Sequence, residues 1–124
     1  MPEFNGSDVR YLLVHNANVY THWLANFAMN KGVAIIEESD VITIDAVKQL
    51  FANADAYVDE FLNRFAQTLN DPISAVLPRN RPVTATPLEI YTHAFAHEFH
   101  HKGQIMTMCR LLGHTPPDTD IIRF

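Results

Sequence analysis

The sequence predicts an all-α fold, a single bundle of helices over residues 1–124. Three observations carry that prediction. Apolar residues recur at steps of three and four in three separate stretches. Those stretches open on side chains that cap helices and close near glycine or proline. At 124 residues the chain has room for one domain whose single core is large enough to be stable without covalent staples.

The first stretch begins near Ser7, read as an N-cap with Asp8 in the first turn, and runs through Leu12, His15, Val19, Trp23 and Phe27 toward Gly32. On that spacing His15 points into the apolar stripe. Residues 33–42 join an apolar run to the acidic pair Glu37 and Glu38 and read as a loop or a frayed helix end. The second helix starts after Thr43 and carries Val47, Leu50, Phe51, Ala54, Val58, Phe61, Leu62, Phe65 and Leu69 before Asn70, Asp71 and Pro72 end it. The segment holding Pro78, Arg79, Asn80, Arg81 and Pro82 reads as an ordered crossover loop. The third helix opens on Thr86-Pro87-Leu88-Glu89, a capping-box spacing with proline at the first helical position, where its missing N–H costs nothing. It continues to Gly113, with Pro116 and Pro117 as the stop. Three helices of this length leave apolar faces to cover, so a four-helix bundle is expected. Its fourth member comes either from the tail 114–124 or from a second copy of the chain in a homodimer.

Composition narrows the function. Cys109 is the lone cysteine, which excludes an intrachain disulfide and suits a reducing compartment, so a cytoplasmic location is expected. Residues 1–6 have none of the character of a signal peptide, and no apolar run approaches the roughly 20 residues that span a bilayer. A formal net charge of -5, with scattered basic residues, weighs against nucleic acid as a partner.

Histidine stands out: there are seven, four of them at positions 93, 97, 100 and 101. Residues four apart on a helix stand one turn above each other, so His97 and His101 direct two imidazoles at one point. A divalent ion held there needs a third ligand, and His15, inward on another helix among Leu12, Val19 and Trp23, is the candidate. Three histidines with an open fourth position suit zinc, nickel, iron or copper and characterise catalytic rather than structural sites. The plain alternatives are a hydrogen-bonded core histidine at position 15 and a solvent-facing pair at 97 and 101. His93 reads as a supporting donor or a competing ligand, His22 as lining the mouth of the same cavity, and His100 as facing outward. Glu98 is expected to face solvent. Gly103, costly in mid-helix by about 1 kcal/mol, suggests a close approach of a ligand or a backbone, or a tight helix crossing. Cys109 reads as a buried small hydrophobe.

The run His97-Glu98-Phe99-His100-His101-Lys102-Gly103-Gln104-Ile105 resembles the last helix of the DinB/YfiT-like superfamily, where His-x-x-x-His is followed by a basic residue, glycine, glutamine and an aliphatic residue. Residues 111–120 are similar to the family's exit from that helix, and residues 7–15 to the helix bearing the first ligand histidine. The resemblance implies a four-helix bundle with a three-histidine metal site at His15, His97 and His101. It also implies a divalent transition metal, zinc or nickel first, and a reaction of the S-transferase or isomerase class with a low-molecular-weight thiol such as bacillithiol or mycothiol. One departure is clear: family members carry a further long helix ahead of the one with the first histidine, whereas this chain starts almost at that helix. The expected partners are a small-molecule substrate or thiol and a second copy of the chain, with no membrane and no nucleic acid. The competing expectation is a non-catalytic metal-binding or stress-response interaction protein.

Overall fold

The computed structural model describes residues 8–118. Helix α1 (Val9–Tyr20) is capped by Asp8, whose carboxylate accepts the Tyr11 backbone N–H at 2.7 Å. Ser7, the expected cap, lies outside the described residues. The helix does not continue unchanged to Gly32. It widens into a π segment (Thr21–Ala28), and the rod ends at Met29 and Asn30, where Asn30 takes a left-handed backbone with φ of 54°. Leu24, Ala25 and Phe27 of the π segment are buried.

Residues 31–37 then run as a strap without regular structure, followed by a 3₁₀ turn (Glu38–Asp40). Helix α2 (Ile44–Phe65) is capped by Thr43, which accepts the Ala46 N–H at 3.1 Å. It ends at Phe65, short of the expected Asn70-Asp71-Pro72 stop. The backbone turns at Thr68 and Asp71, and the Leu69 carbonyl instead accepts the Leu88 N–H at 3.0 Å. Helix α3 (Pro87–Leu111) begins on the full capping box: Thr86 and Glu89 satisfy each other's backbone N–H groups at 3.0 and 3.1 Å. Gly113, at φ of 87°, provides the left-handed exit.

The expected crossover loop is an antiparallel hairpin, β1 (Ile73–Leu77) paired with β2 (Arg81–Ala85) from Ile73↔Ala85 to Leu77↔Arg81. Its alternation is regular, with Ile73, Ala75 and Leu77 turned toward the core cluster. Pro82 fits because both strands of a two-stranded sheet are edges, the setting that tolerates a strand proline.

The rod formed by α1 and the π segment packs against both α2 and α3, which confirms a helical bundle. Phe61, Leu24, Ile90, Ala94 and Ala25 form its closed centre, each at most 2% exposed. Burying a large apolar side chain of this kind stabilises the fold by about 2 kcal/mol. A smaller cluster of Val14, Val41 and Val47 ties the start of α2 to α1. An open groove runs between α2 and α3, with Tyr20 at its floor and Phe51, Val58, Phe95 and Phe99 on its sides. Of the tail expected to fill a fourth helical position, residues 114–118 are irregular and the rest lie outside the described residues. Among the described residues no helix is long and apolar enough to cross a membrane.

Candidate metal centre

Helical periodicity places His15 on the face of α1 that meets α3, and the one-turn step places His97 and His101 on the facing side of α3. Their rings converge. His15 Nε2 lies 2.8 Å from His97 Nε2, and His101 Nε2 lies 3.0 Å from the same atom. One nitrogen from each ring falls within a single group whose atoms are all within 4.8 Å of one another.

The hydrogen-bonding capacity of these rings decides what the arrangement is for. His101 Nδ1 sits 2.5 Å from Gln104 Oε1. An amide oxygen only accepts, so Nδ1 carries the proton and Nε2 presents its lone pair to the centre, the tautomer a metal ligand requires. Burial holds the imidazolium forms of His15 and His97 below the ordinary histidine range, and the charge of His101 depresses both further. His15 and His97 are therefore neutral at neutral pH. A neutral imidazole nitrogen donates at most one hydrogen bond, so His97 Nε2 leaves at least one of its two neighbours unsatisfied, whereas one cation satisfies all three lone pairs. Zinc with tetrahedral bonds to nitrogen would set the three atoms about 3.3 Å apart, close to the 2.8 and 3.0 Å that separate His97 Nε2 from its two neighbours. The donor set therefore fits a divalent transition ion.

The surroundings divide the remaining expectations. His93 stays out of the nitrogen group; its ring is 6.1 Å from that of His97 and packs edge-on to Trp23 at 5.1 Å. His22 lines the cavity beside the triad, as expected, and His100 is exposed. That cavity, about 350 Å³, is walled by His15, Val19, Trp23, His93 and His97, with Ile35 of the strap across it. Cys109 is half-buried.

Two expectations are corrected. Glu98 does not face solvent: its side chain is 17% exposed, accepts a hydrogen bond from the Tyr20 hydroxyl and pairs with Lys102 at 3.2 Å. One residue of helix turns it about 100° from His97, to the opposite flank of α1, so adjacency in sequence is not adjacency at the metal site. Burial and the Glu98 contact together push the Tyr20 phenol up, keeping it protonated as the donor. Gly103 sits at neither a tight helix crossing nor a close backbone approach among the described residues, because a Cβ built there meets nothing within 4 Å.

Three contributors escaped the sequence reading. Gln104 entered only as part of a motif, yet it fixes the tautomer of His101. Asn18 and Asn26 interrupt the apolar stripe of the first rod, and each clamps the strap with two bonds. Asn18 donates to the Ile36 carbonyl at 2.8 Å and accepts the Ile36 N–H at 3.2 Å. Asn26 does the same for Val33 at 2.8 and 2.7 Å. Amides on an otherwise apolar face were the available signal.

The model of the DinB family matches residues 3–124. Among curated proteins, the chain is similar to the uncharacterized protein YizA of Bacillus subtilis (strain 168), at 27% identity over 115 residues, covering 93% of this chain and 71% of the relative.

Proposed function

The chain belongs to the DinB family, and on that premise we propose that it binds one divalent transition ion, zinc or nickel, through His15, His97 and His101 and uses it to transfer a low-molecular-weight thiol to an electrophile. The observation that carries the reading is the convergence of three ring nitrogens, with the His101 lone pair turned inward by Gln104. The arrangement supports an open fourth position, since no further His, Cys, Asp or Glu among the described residues joins the group. When bound, such an ion supplies Lewis acidity that makes a thiol at the open position ionise near neutral pH.

The protein's own residues hold the rest. His15 and His97 stay neutral through burial, Gln104 orients His101, and the Trp23 ring, packed edge-on to His93, gives one side of the cavity an apolar face. In the transfer, the thiol loses its proton to solvent, a sulfur–carbon bond forms, and the leaving group departs with the bonding pair.

Elemental analysis of the purified protein beside His97→Ala tests the metal. The expected result is about one equivalent in the wild type and an affinity lower by about a hundredfold or more in the variant, the scale of one ligand's share in a zinc site. Retention of metal by the variant, or none in the wild type after supply of zinc and nickel, overturns the site. Metal-dependent turnover of a thiol with a chromogenic electrophile then tests the chemistry, and a rate no higher than that of the apoprotein overturns the transferase reading.

A further inference from the structure

The cavity beside the triad does not end there. It shares His22 and Ile35 with a second cavity of about 630 Å³, which continues along Phe27 and Asn26 to Ile73, Val76 and Pro78 of the hairpin. The two compartments adjoin at His22 and Ile35, and together they reach from the candidate metal centre to the hairpin. The walls change character along them. Near the triad lie imidazole nitrogens; the middle is Trp23, Phe27 and Ile35; the far end is Leu77 and Pro78, next in sequence to Arg79 of the turn and close to Arg81 at the start of β2.

Ile35 marks the narrowing. It is 46% exposed, unusual for an isoleucine, yet its neighbours on the strap, Val33 and Ile36, are each held by a two-bond asparagine clamp. The strap is thus fixed to the first rod at two points, with Ile35 held across the path between them.

At the hairpin end, Arg81 donates from Nε to the Pro78 carbonyl at 3.2 Å, which folds its side chain back toward a residue of the second cavity. The remaining guanidinium N–H groups suit a carboxylate. Arg81 is near enough for its charge to add to burial in holding the His22 imidazolium below the ordinary range. Neither Arg79 nor Arg81 forms an ion pair among the described residues, in contrast with Arg10, Lys31 and Lys102.

We infer that the ligand of this site is an elongated amphiphile with an anionic end: its reactive head lies at the triad, its apolar body passes beneath Ile35 between Trp23 and the hairpin, and its carboxylate meets the Arg79–Arg81 turn. The position of the head rests on the metal reading above; the apolar body and the anionic end do not.

Trp23 is the chain's only tryptophan and lines the path, so its fluorescence reports occupancy. The metal-free protein is titrated with 6-phenylhexanoate and with 6-phenylhexanamide, matched in length and differing in charge. The acid is expected to bind about tenfold more tightly at low salt, the scale of one charge-assisted hydrogen-bonded contact. The double variant Arg79→Gln, Arg81→Gln is expected to lose most of that preference and keep the amide's affinity, which also reports that it has folded. Equal binding of acid and amide, a preference that survives loss of both arginines, or no response of Trp23 to either compound overturns the inference. Because the titration uses no metal, its failure leaves the metal site standing, and a protein that never binds metal leaves this result intact.

Discussion

The two walls of the cavity are built by different means. On one side α3 presents His93 and His97, with His101 one turn further on, from a single continuous helix whose start is set by residues within one turn of each other. On the other, the strap and the hairpin stand in place through bonds between residues far apart or outside regular structure, Asn18 to Ile36 and Asn26 to Val33 among them. The first wall inherits its geometry from helical periodicity. The second has it only once the chain has folded, so it is the wall whose shape a single substitution alters most readily. Rigid periodic elements hold the atoms that must converge to within tenths of an ångström, and the clamped strap shapes what reaches them.

The largest expected effect sharpens that contrast on the α3 side. Gln104→Leu removes the acceptor that fixes the His101 tautomer, and metal affinity should fall by about 10- to 100-fold, with little change in melting temperature of the apoprotein. Competition against a chelator of known affinity measures it. An unchanged affinity would mean that helical geometry alone aligns the ring. On the strap side, Asn26→Ala deletes both bonds to Val33 and leaves a part-buried carbonyl and N–H without those partners, at a cost of about 1–3 kcal/mol. Urea denaturation, combined with proteolysis of the strap, should register the loss while metal affinity holds. If metal binding falls in parallel, the two walls are not independent. The smallest effect belongs to Thr86→Ala, which opens the capping box at the start of α3 and should lower stability by about 1 kcal/mol without moving the metal affinity, since the triad lies nearly three turns or more along the helix.

What could be read from sequence follows the same division. The histidine cluster was legible because periodicity alone puts His15 inward and stacks His97 over His101; the capping box announced α3 because all its partners lie within four residues. The π segment was not, since a helix that gains one residue per turn keeps much of the same apolar spacing over eight residues. The hairpin was hidden by Pro78 and Pro82, which argue for a loop until the strands are known to have no outer neighbours. Glu98 was misplaced because its partner, Tyr20, lies 78 residues away. No rule of spacing within α3 pairs those two residues.

The contact between His15 and His97 spans 82 residues of sequence, so it closes most of the chain into one loop whose ends meet at the triad. An ion shared by those rings would act as a reversible clasp on that loop. With the clasp fastened, α2, the strap and the hairpin, all inside the loop, would unfold and refold on a tether rather than as free chain, which lowers the entropy they gain on opening. Amide protons within the loop should then exchange more slowly in the metal-loaded protein than in the apoprotein, although none of them touches the metal.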